Sequence, residues 1–278
     1  MPQDQVQITI LVDNQAGPGL AVEHGFSLWI ETRHRRILFD TGQGQALWPN
    51  TRALGVDPAA ADTLVLSHGH YDHTGGIARV LEINPACRVY GHPGIVAPRW
   101  AVRDGETRAI GIPAPSLAAV EGLAPARRTW VSAPLPLGPR MGLTGPIARC
   151  TDFEDPGGPF FLDPAGRHPD PISDDLALWI DTRHGVVVCV GCCHAGLVNT
   201  LAQVRRINGQ KPIHALIGGF HLVAAGRLRL DRTIATLRGL QPALVVPCHC
   251  TGEPAMAALQ AAMPEQVRFG AAGTVYRF

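Results

Sequence analysis

Residues 68–73 read His-Gly-His-Tyr-Asp-His, and four of those six side chains are metal donors: His68, His70, Asp72 and His73. Imidazole and carboxylate together suit divalent ions of the zinc type. His68 and His70 are two residues apart, so an extended chain points them the same way. Asp72 and His73 then turn towards a second position. One ion does not easily take all four donors, so the spacing suggests two adjacent sites. Paired ions activate a water near neutral pH and steady the leaving oxygen of an ester or phosphoester. The chemistry expected is hydrolytic, with Asp72 also able to accept a proton from that water. A polar turn that is merely rich in histidine is the bland alternative, and the density of donors argues against it.

Such a loop needs a scaffold. It is approached by Thr63-Leu64-Val65-Leu66-Ser67, an apolar strand-like run, and left by Thr74-Gly75-Gly76 before a helix-like Ile77-Ala78-Arg79-Val80-Leu81. A strand ending in a tight histidine loop presents its donors at a sheet edge. Three further histidines follow apolar runs in the same way. His194 comes after Val186–Val190, His221 after Ile217-Gly218-Gly219-Phe220, and His249 after Ala243–Pro247. His194 would complete a site or bridge two of them, while His221 suits substrate or proton handling as well as ligation. Ser27–His34 and Ala177–His184 match at six positions. Each stretch reads as a strand, a polar Arg-His turn and a returning strand. Two similar halves suggest two sheets with helices outside. Further strands are expected at Gln7–Val12, Cys87–Gly91 and Gly273–Phe278, with helices over Gly196–Asn208, Leu228–Leu240 and Glu253–Met263.

HxHxDH followed by Gly-Gly resembles the pattern of the metallo-β-lactamase fold superfamily. Ile37-Leu38-Phe39-Asp40-Thr41-Gly42 is similar to that family's early strand. SHGHYDHTGG, GCCHAGLVNT, GGFHL and PCHCTG together resemble, more narrowly, the branch named for dihydropterin–ribofuranosylaminobenzene phosphate synthase. The likeness runs from about Leu11 to Phe278 and is weakest between Pro98 and Pro171. It implies an α/β fold, the αββα four-layer sandwich, built as a single domain over 1–278. It implies that Asp40 braces a ligand histidine, and that His249 is the last metal histidine, serving the ion held by Asp72 and His73. It implies divalent ions as cofactors, two per chain, with zinc as the default and manganese or iron as alternatives. It also implies a second activity class, a synthase joining a dihydropterin diphosphate to an arylamine phosphate. Two departures stand out. The family's HTPGH-like segment is replaced by His168-Pro169-Asp170-Pro171-Ile172-Ser173-Asp174-Asp175, and its Gly-Asp step by Gly191-Cys192. His168, Asp174, Asp175 and Cys192 are therefore candidate replacement ligands.

Composition bounds the rest. A chain of 278 residues with 46% apolar content suits one catalytic domain. A net charge of +1 with dispersed basic residues gives no case for nucleic acid. No run is long enough to span a bilayer, and no leader-like start is evident. Seven cysteines, several beside histidines, point to a reduced, cytoplasmic protein. Cys87 and Cys150 read as inert small apolar residues. Residues 98–171 are rich in Pro and Gly and read as an insertion capping the metal groove. Its exposed edges offer a surface for homo-oligomers. Its Arg99, Arg103, Arg108, Arg127, Arg128 and Arg140 are candidates to meet an anionic substrate. The partner expected is a small molecule, anionic or pterin-like. Three functions are carried forward: a metal-dependent hydrolase, the condensing synthase, and a non-catalytic metal sensor.

Overall fold

Runs of Val, Ile and Leu without polar alternation suit strands buried on both faces. In the computed structural model, which describes residues 5–278, such runs form the strands of two sheets. In chain order the strands are β1 (Gln7–Val12), β2 (Ser27–Glu31), β3 (Arg36–Phe39), β4 (Thr63–Val65), β5 (Arg88–Gly91), β6 (Trp100–Arg103), β7 (Glu106–Ala109), β8 (Arg128–Trp130), β9 (Leu135–Gly138), β10 (Met141–Leu143), β11 (Phe160–Phe161), β12 (Ala177–Thr182), β13 (Gly185–Val190), β14 (Ile213–Gly219), β15 (Leu244–Cys248) and β16 (Val275–Arg277). The helices are α1 (Leu47–Leu54), α2 (Tyr71–Thr74), α3 (Ile77–Ile83), α4 (Ala114–Glu121), α5 (Leu197–Ile207), α6 (Arg227–Leu240) and α7 (Glu253–Ala262). Among the described residues, no helix is long and apolar enough to cross a membrane.

The chain divides into two compact units. The first comprises the chain up to Val131, then Pro159–Asp170 and Ala271–Phe278. Its seven-stranded sheet runs β16-β1-β2-β3-β4-β5-β8, and β11-β6-β7 form a small separate sheet. Leu47 of α1, Ile77, Val80 and Leu81 of α3 and Val120 of α4 pack with Trp29, Leu38, Leu64 and Val89 in one core cluster. The second unit comprises Ser132–Gly158 and Pro171–Gly270. Its sheet runs β15-β14-β13-β12-β10-β9. There Leu197, Leu201 and Val204 of α5, Leu237 of α6 and Leu259 of α7 pack with Val186, Val188, Leu216 and Val245.

The repeat seen in the sequence extends to topology. In the first unit β1–β2 and β2–β3 are antiparallel, while β3–β4 and β4–β5 are parallel. In the second, β10–β12 and β12–β13 are antiparallel, while β13–β14 and β14–β15 are parallel. Even the hairpin turns agree. Thr32 Oγ1 accepts the His34 amide at 3.2 Å, and Thr182 Oγ1 accepts the His184 amide at 3.2 Å. A threonine hydroxyl folding back on the next turn amides is a local alternative to the ladder, and it closes both hairpins.

The stretch 98–171 departs from expectation. Instead of a structureless insertion it holds six strands and a helix. β8 closes one edge of the first sheet, and β9 closes one edge of the second. Edge strands tolerate proline, as β9 does at Pro136. Strands of two to four residues leave too little periodicity to read.

Candidate metal-binding site

In the first unit the ladder stops early so that a carboxylate can take over. β4 ends at Val65, and the Ser67 amide turns to Asp40 Oδ1 at 2.7 Å. Asp40 is fully buried and sits just past β3 with φ +58, a conformation that Asp tolerates better than most residues. Its Oδ2 accepts the Ser67 hydroxyl at 2.6 Å and lies 2.8 Å from His73 Nδ1. A carboxylate only accepts, so His73 Nδ1 carries the proton and Nε2 presents a lone pair. The same reasoning runs one step further. The Ser67 proton is spent on Asp40, so its oxygen, 2.9 Å from His68 Nδ1, accepts from that ring. His68 Nε2 then carries a lone pair as well. It lies 3.0 Å from His70 Nδ1. Two nitrogens on one tetrahedral ion at 2.0–2.1 Å stand about 3.3 Å apart, so this pair has nearly the spacing of a shared ligand sphere.

Backbone contacts fix the loop. The Thr41 amide and hydroxyl donate to the His73 carbonyl at 2.8 and 3.0 Å, and the Thr74 hydroxyl donates to the His70 carbonyl at 2.7 Å. Gly69 has no side chain because a Cβ there would run into the Ile95 carbonyl and the Arg99 guanidinium. Asp72 is 6% exposed, and its Oδ2 is 3.9 Å from His73 Nε2. The same oxygen is 3.1 Å from Nε2 of His24, whose side chain is 53% exposed. Sequence reading passed over His24, which belongs to no motif and precedes the loop by three strands.

In the second unit the donors sit at the carboxyl ends of three consecutive parallel strands. Beyond β13 the chain turns through Cys193 at φ +60 to His194; beyond β14 it reaches His221 at φ +44; beyond β15 it reaches His249 at φ +47. Non-glycine residues held there are strained, and such strain clusters where side chains must be aimed. His194 Nδ1 is 2.7 Å from the Pro156 carbonyl, again an acceptor only, so its Nε2 also keeps a lone pair. The Nε2 atoms of His194 and His249 are sealed from solvent. The His194 and His221 rings stand 4.2 Å apart between centroids. Cys192, His221 and Cys250 each offer a donor atom, all within 4.8 Å of one another. Burial alone would push the Cys250 thiol up, but a hydrogen bond with Cys192 and the His221 and His249 rings outweigh it and pull it well below its ordinary value. Thiolate is the ligating form.

Residues 154–157 strap this region together. Glu154 accepts the Val198 and Asn199 amides at 2.9 and 3.0 Å and so caps α5. Asp155 meets Arg229, the Pro156 carbonyl meets His194, and a Cβ on Gly157 would collide with the His221 ring. None of these roles shows in the sequence, because each depends on a partner more than 35 residues away.

Other candidates fall elsewhere. Asp175 is 2% exposed, and its Oδ2 accepts the Ala195 amide at 2.7 Å. It therefore supports the His194 turn. Its carboxyl is pushed up to about 7, chiefly by burial, with Asp174 adding to the effect. Asp174 is buried at 1% exposure. His168 is no replacement ligand: its side chain is 72% exposed and pairs with Asp163 at 2.9 Å, in the first unit. Four of the candidate arginines serve structure. Arg99 pairs with Asp170 at 2.7 Å, Arg127 donates to the Cys87 carbonyl, Arg128 to the Val120 carbonyl and Arg140 to the Asp181 carbonyl. Arg108 stacks 4.9 Å over Tyr71, and Arg103 is exposed. All seven cysteines are free. Burial pushes Cys87 up to about 12, which suits an inert thiol, but Cys150 is exposed rather than tucked into a core.

The donor chemistry, buried imidazoles with fixed lone pairs beside carboxylates and thiols, fits divalent transition ions. Comparison with known proteins agrees. The chain is 31% identical over 263 residues, 90% of its own length and 88% of the relative's, to the 7,8-dihydropterin-6-methyl-4-(β-D-ribofuranosyl)-aminobenzene-5′-phosphate synthase of Methanocaldococcus jannaschii. An uncharacterized protein of the same organism is also 31% identical, with 91% and 93% of the two chains covered. A crystal structure of a metal-dependent hydrolase of the β-lactamase superfamily superposes with a TM-score of 0.82 at 27% identity, covering 98% of each chain. The Bacillus subtilis metallo-β-lactamase fold protein YhfI shares the fold at TM-score 0.58 and 15% identity. The family model of the metallo-β-lactamase superfamily matches residues 20–203, and with relatives of this identity and coverage the chain belongs to that superfamily.

Proposed function

We propose that the protein is a metal-dependent hydrolase acting on a small ester or phosphoester, with His68, His70, Asp72, His73, His194 and His249 as ligands. The observation that carries this is the fixing of three imidazoles, His68, His73 and His194. Each spends its Nδ1 proton on a held acceptor and so offers Nε2 as a lone pair. Divalent ions, two per chain with zinc as the default, would supply Lewis acidity and a water acidic enough to attack near neutral pH. Asp72 would accept a proton from the attacking water, and His24, whose Nε2 lies 3.1 Å from its Oδ2, would carry that proton outward. His221 donates a proton to the leaving oxygen, held in one orientation by its strained backbone and by Gly157.

A second reading, the condensing synthase, is favoured by the 31%-identical M. jannaschii relative. It needs the same polarising ions but a pocket that excludes water. Purified protein should carry transition metal, one to two equivalents per chain on the scale of a two-ion site. Asp72→Ala should lower turnover of a nitrophenyl ester or phosphoester by about 10²–10⁴-fold, the usual worth of a general base, with the thermal melt retained. Protein that takes up no metal on reconstitution would falsify the enzyme reading. Condensed product from a pterin diphosphate and an arylamine phosphate, without ester hydrolysis, would move the assignment to the synthase.

A further inference from the structure

Two arginines of the second unit, one half-buried and one buried, differ in how they are met. Arg149 donates to the carbonyls of His194 at 2.7 Å and Pro171 at 2.5 Å. Arg229, in the first turn of α6, is 4% exposed. Its Nη1 donates to the Asp155 carbonyl at 3.0 Å and to Asp155 Oδ1 at 2.8 Å. Its other edge, Nε and Nη2, is buried and meets no acceptor among the described residues. One turn along the same helix, Thr233 Oγ1 is buried and equally unmet. Residues four apart on a helix share a face, so both side chains leave α6 on the same side.

Leaving charged donors buried and unmet is costly, and such groups call for an explanation. The nearby acids do not provide one. Glu154 is engaged with the amides of α5, and the Asp155 side chain is 74% exposed, so it is a weak counterion. The Nε–Nη2 edge is the one that grips two oxygens of an oxyanion side-on. A hydroxyl beside it supplies a further donor, which suits a tetrahedral group better than a planar carboxylate. Location adds meaning. Through Asp155, Pro156 and Gly157 the same strap touches Arg229, His194 and His221 in succession.

We propose that the Nε–Nη2 edge of Arg229, with Thr233 Oγ1, is a binding site for a phosphoryl group of the substrate. That the group belongs to the substrate rests on the hydrolase reading above; that Arg229 binds one does not.

The test is calorimetric titration of the full-length protein with inorganic phosphate, diphosphate and acetate, both metal-loaded and after chelation. Chelation removes phosphate that binds to metal. Wild-type protein should bind phosphate or diphosphate saturably after chelation, and more tightly than acetate. Arg229→Met should weaken that binding at least ~10-fold, the scale of one lost charge-assisted contact. Thr233→Val should weaken it several-fold. Arg229→Lys keeps the charge without the fork and should show an intermediate loss, which decides the matter if the methionine variant does not fold. Phosphate that fails to bind, or binds all variants alike, means that buried water fills the edge, and the site is refuted. Acetate binding as tightly as phosphate overturns the phosphoryl class. Metal content and ester turnover of the wild type are read in parallel. Their failure with phosphate binding intact sinks the hydrolase reading alone.

Discussion

Asp40→Asn isolates the tautomer logic of the histidine loop. The alanine variant would not, because it strips the acceptor from three buried donors at once: the Ser67 amide, the Ser67 hydroxyl and His73 Nδ1. At about 1–3 kcal/mol for each unmet donor, that loss approaches the whole stability of a domain, about 5–15 kcal/mol. Asparagine keeps one oxygen for the Ser67 amide and accepts the left-handed backbone at φ +58. Its amide N–H₂ replaces the carboxylate oxygen that faces His73. His73 can no longer donate from Nδ1, so it shifts its proton to Nε2 and turns Nδ1 into an acceptor. The fold then loses two charge-assisted hydrogen bonds, those of the Ser67 hydroxyl and of His73 Nδ1, about 3–6 kcal/mol together, part of which the reversed bonds from the new amide restore. The ligand lone pair at Nε2 is lost unless the ring pays to shift back. Partners of ligating histidines are worth about 10–100-fold in metal affinity, or roughly 1.4–2.8 kcal/mol. Competition against a chromophoric chelator should show that drop in Asp40→Asn, with the metal-free protein less stable than the wild type but still unfolding cooperatively. Wild-type metal affinity in this variant would refute the reasoning.

Two further outcomes follow from packing and charge. Gly69→Ala should destabilise the protein by about 1–3 kcal/mol in urea or thermal unfolding, since the new methyl would meet the Ile95 carbonyl and an Arg99 already tied to Asp170 and to the Gly94 carbonyl; an unchanged midpoint would show that the loop can yield. Asp175 titrates high because burial, and then Asp174, outweigh the Ala195 amide and Arg149. Its folded value of about 7 lies above the unfolded one, so its contribution is complete below about pH 4 and is lost as pH rises through about 7. Chelated wild-type protein should therefore lose stability relative to Asp175→Asn across that window, and parallel pH profiles for the two would count against the assignment.

How much of this was legible depended on how local each signal is. The loop from His68 to His73 announces itself because its donors are contiguous, and the apolar runs before His194, His221 and His249 mark strand ends. Asp40 came through a family pattern; its bonds to Ser67 and His73 span 27 and 33 residues and leave no periodicity. Arg229 was invisible for a related reason. On paper it is one of several arginines around α6, and only its burial and its half-met guanidinium distinguish it. The arginines that looked promising lay in 98–171, and most of them turned out to be tied to main-chain carbonyls. That stretch misled because its strands gain their stability from partners elsewhere in the chain, as β8 does from β5 and β10 from β12.

The backbone at Asp40, Cys193, His221 and His249 leaves a mark on how this protein can change over time. Each of those side chains is carried at a torsion that glycine would occupy more cheaply, by about 1 kcal/mol. Glycine there would release that strain, but the contacts each side chain makes oppose the exchange: Asp40 meets three buried donors, and the His221 ring stands 4.2 Å from that of His194. His221→Gly should therefore destabilise by less than an ordinary buried large-to-small change, about 2–5 kcal/mol, and a loss on that full scale would show that the strain is not relieved.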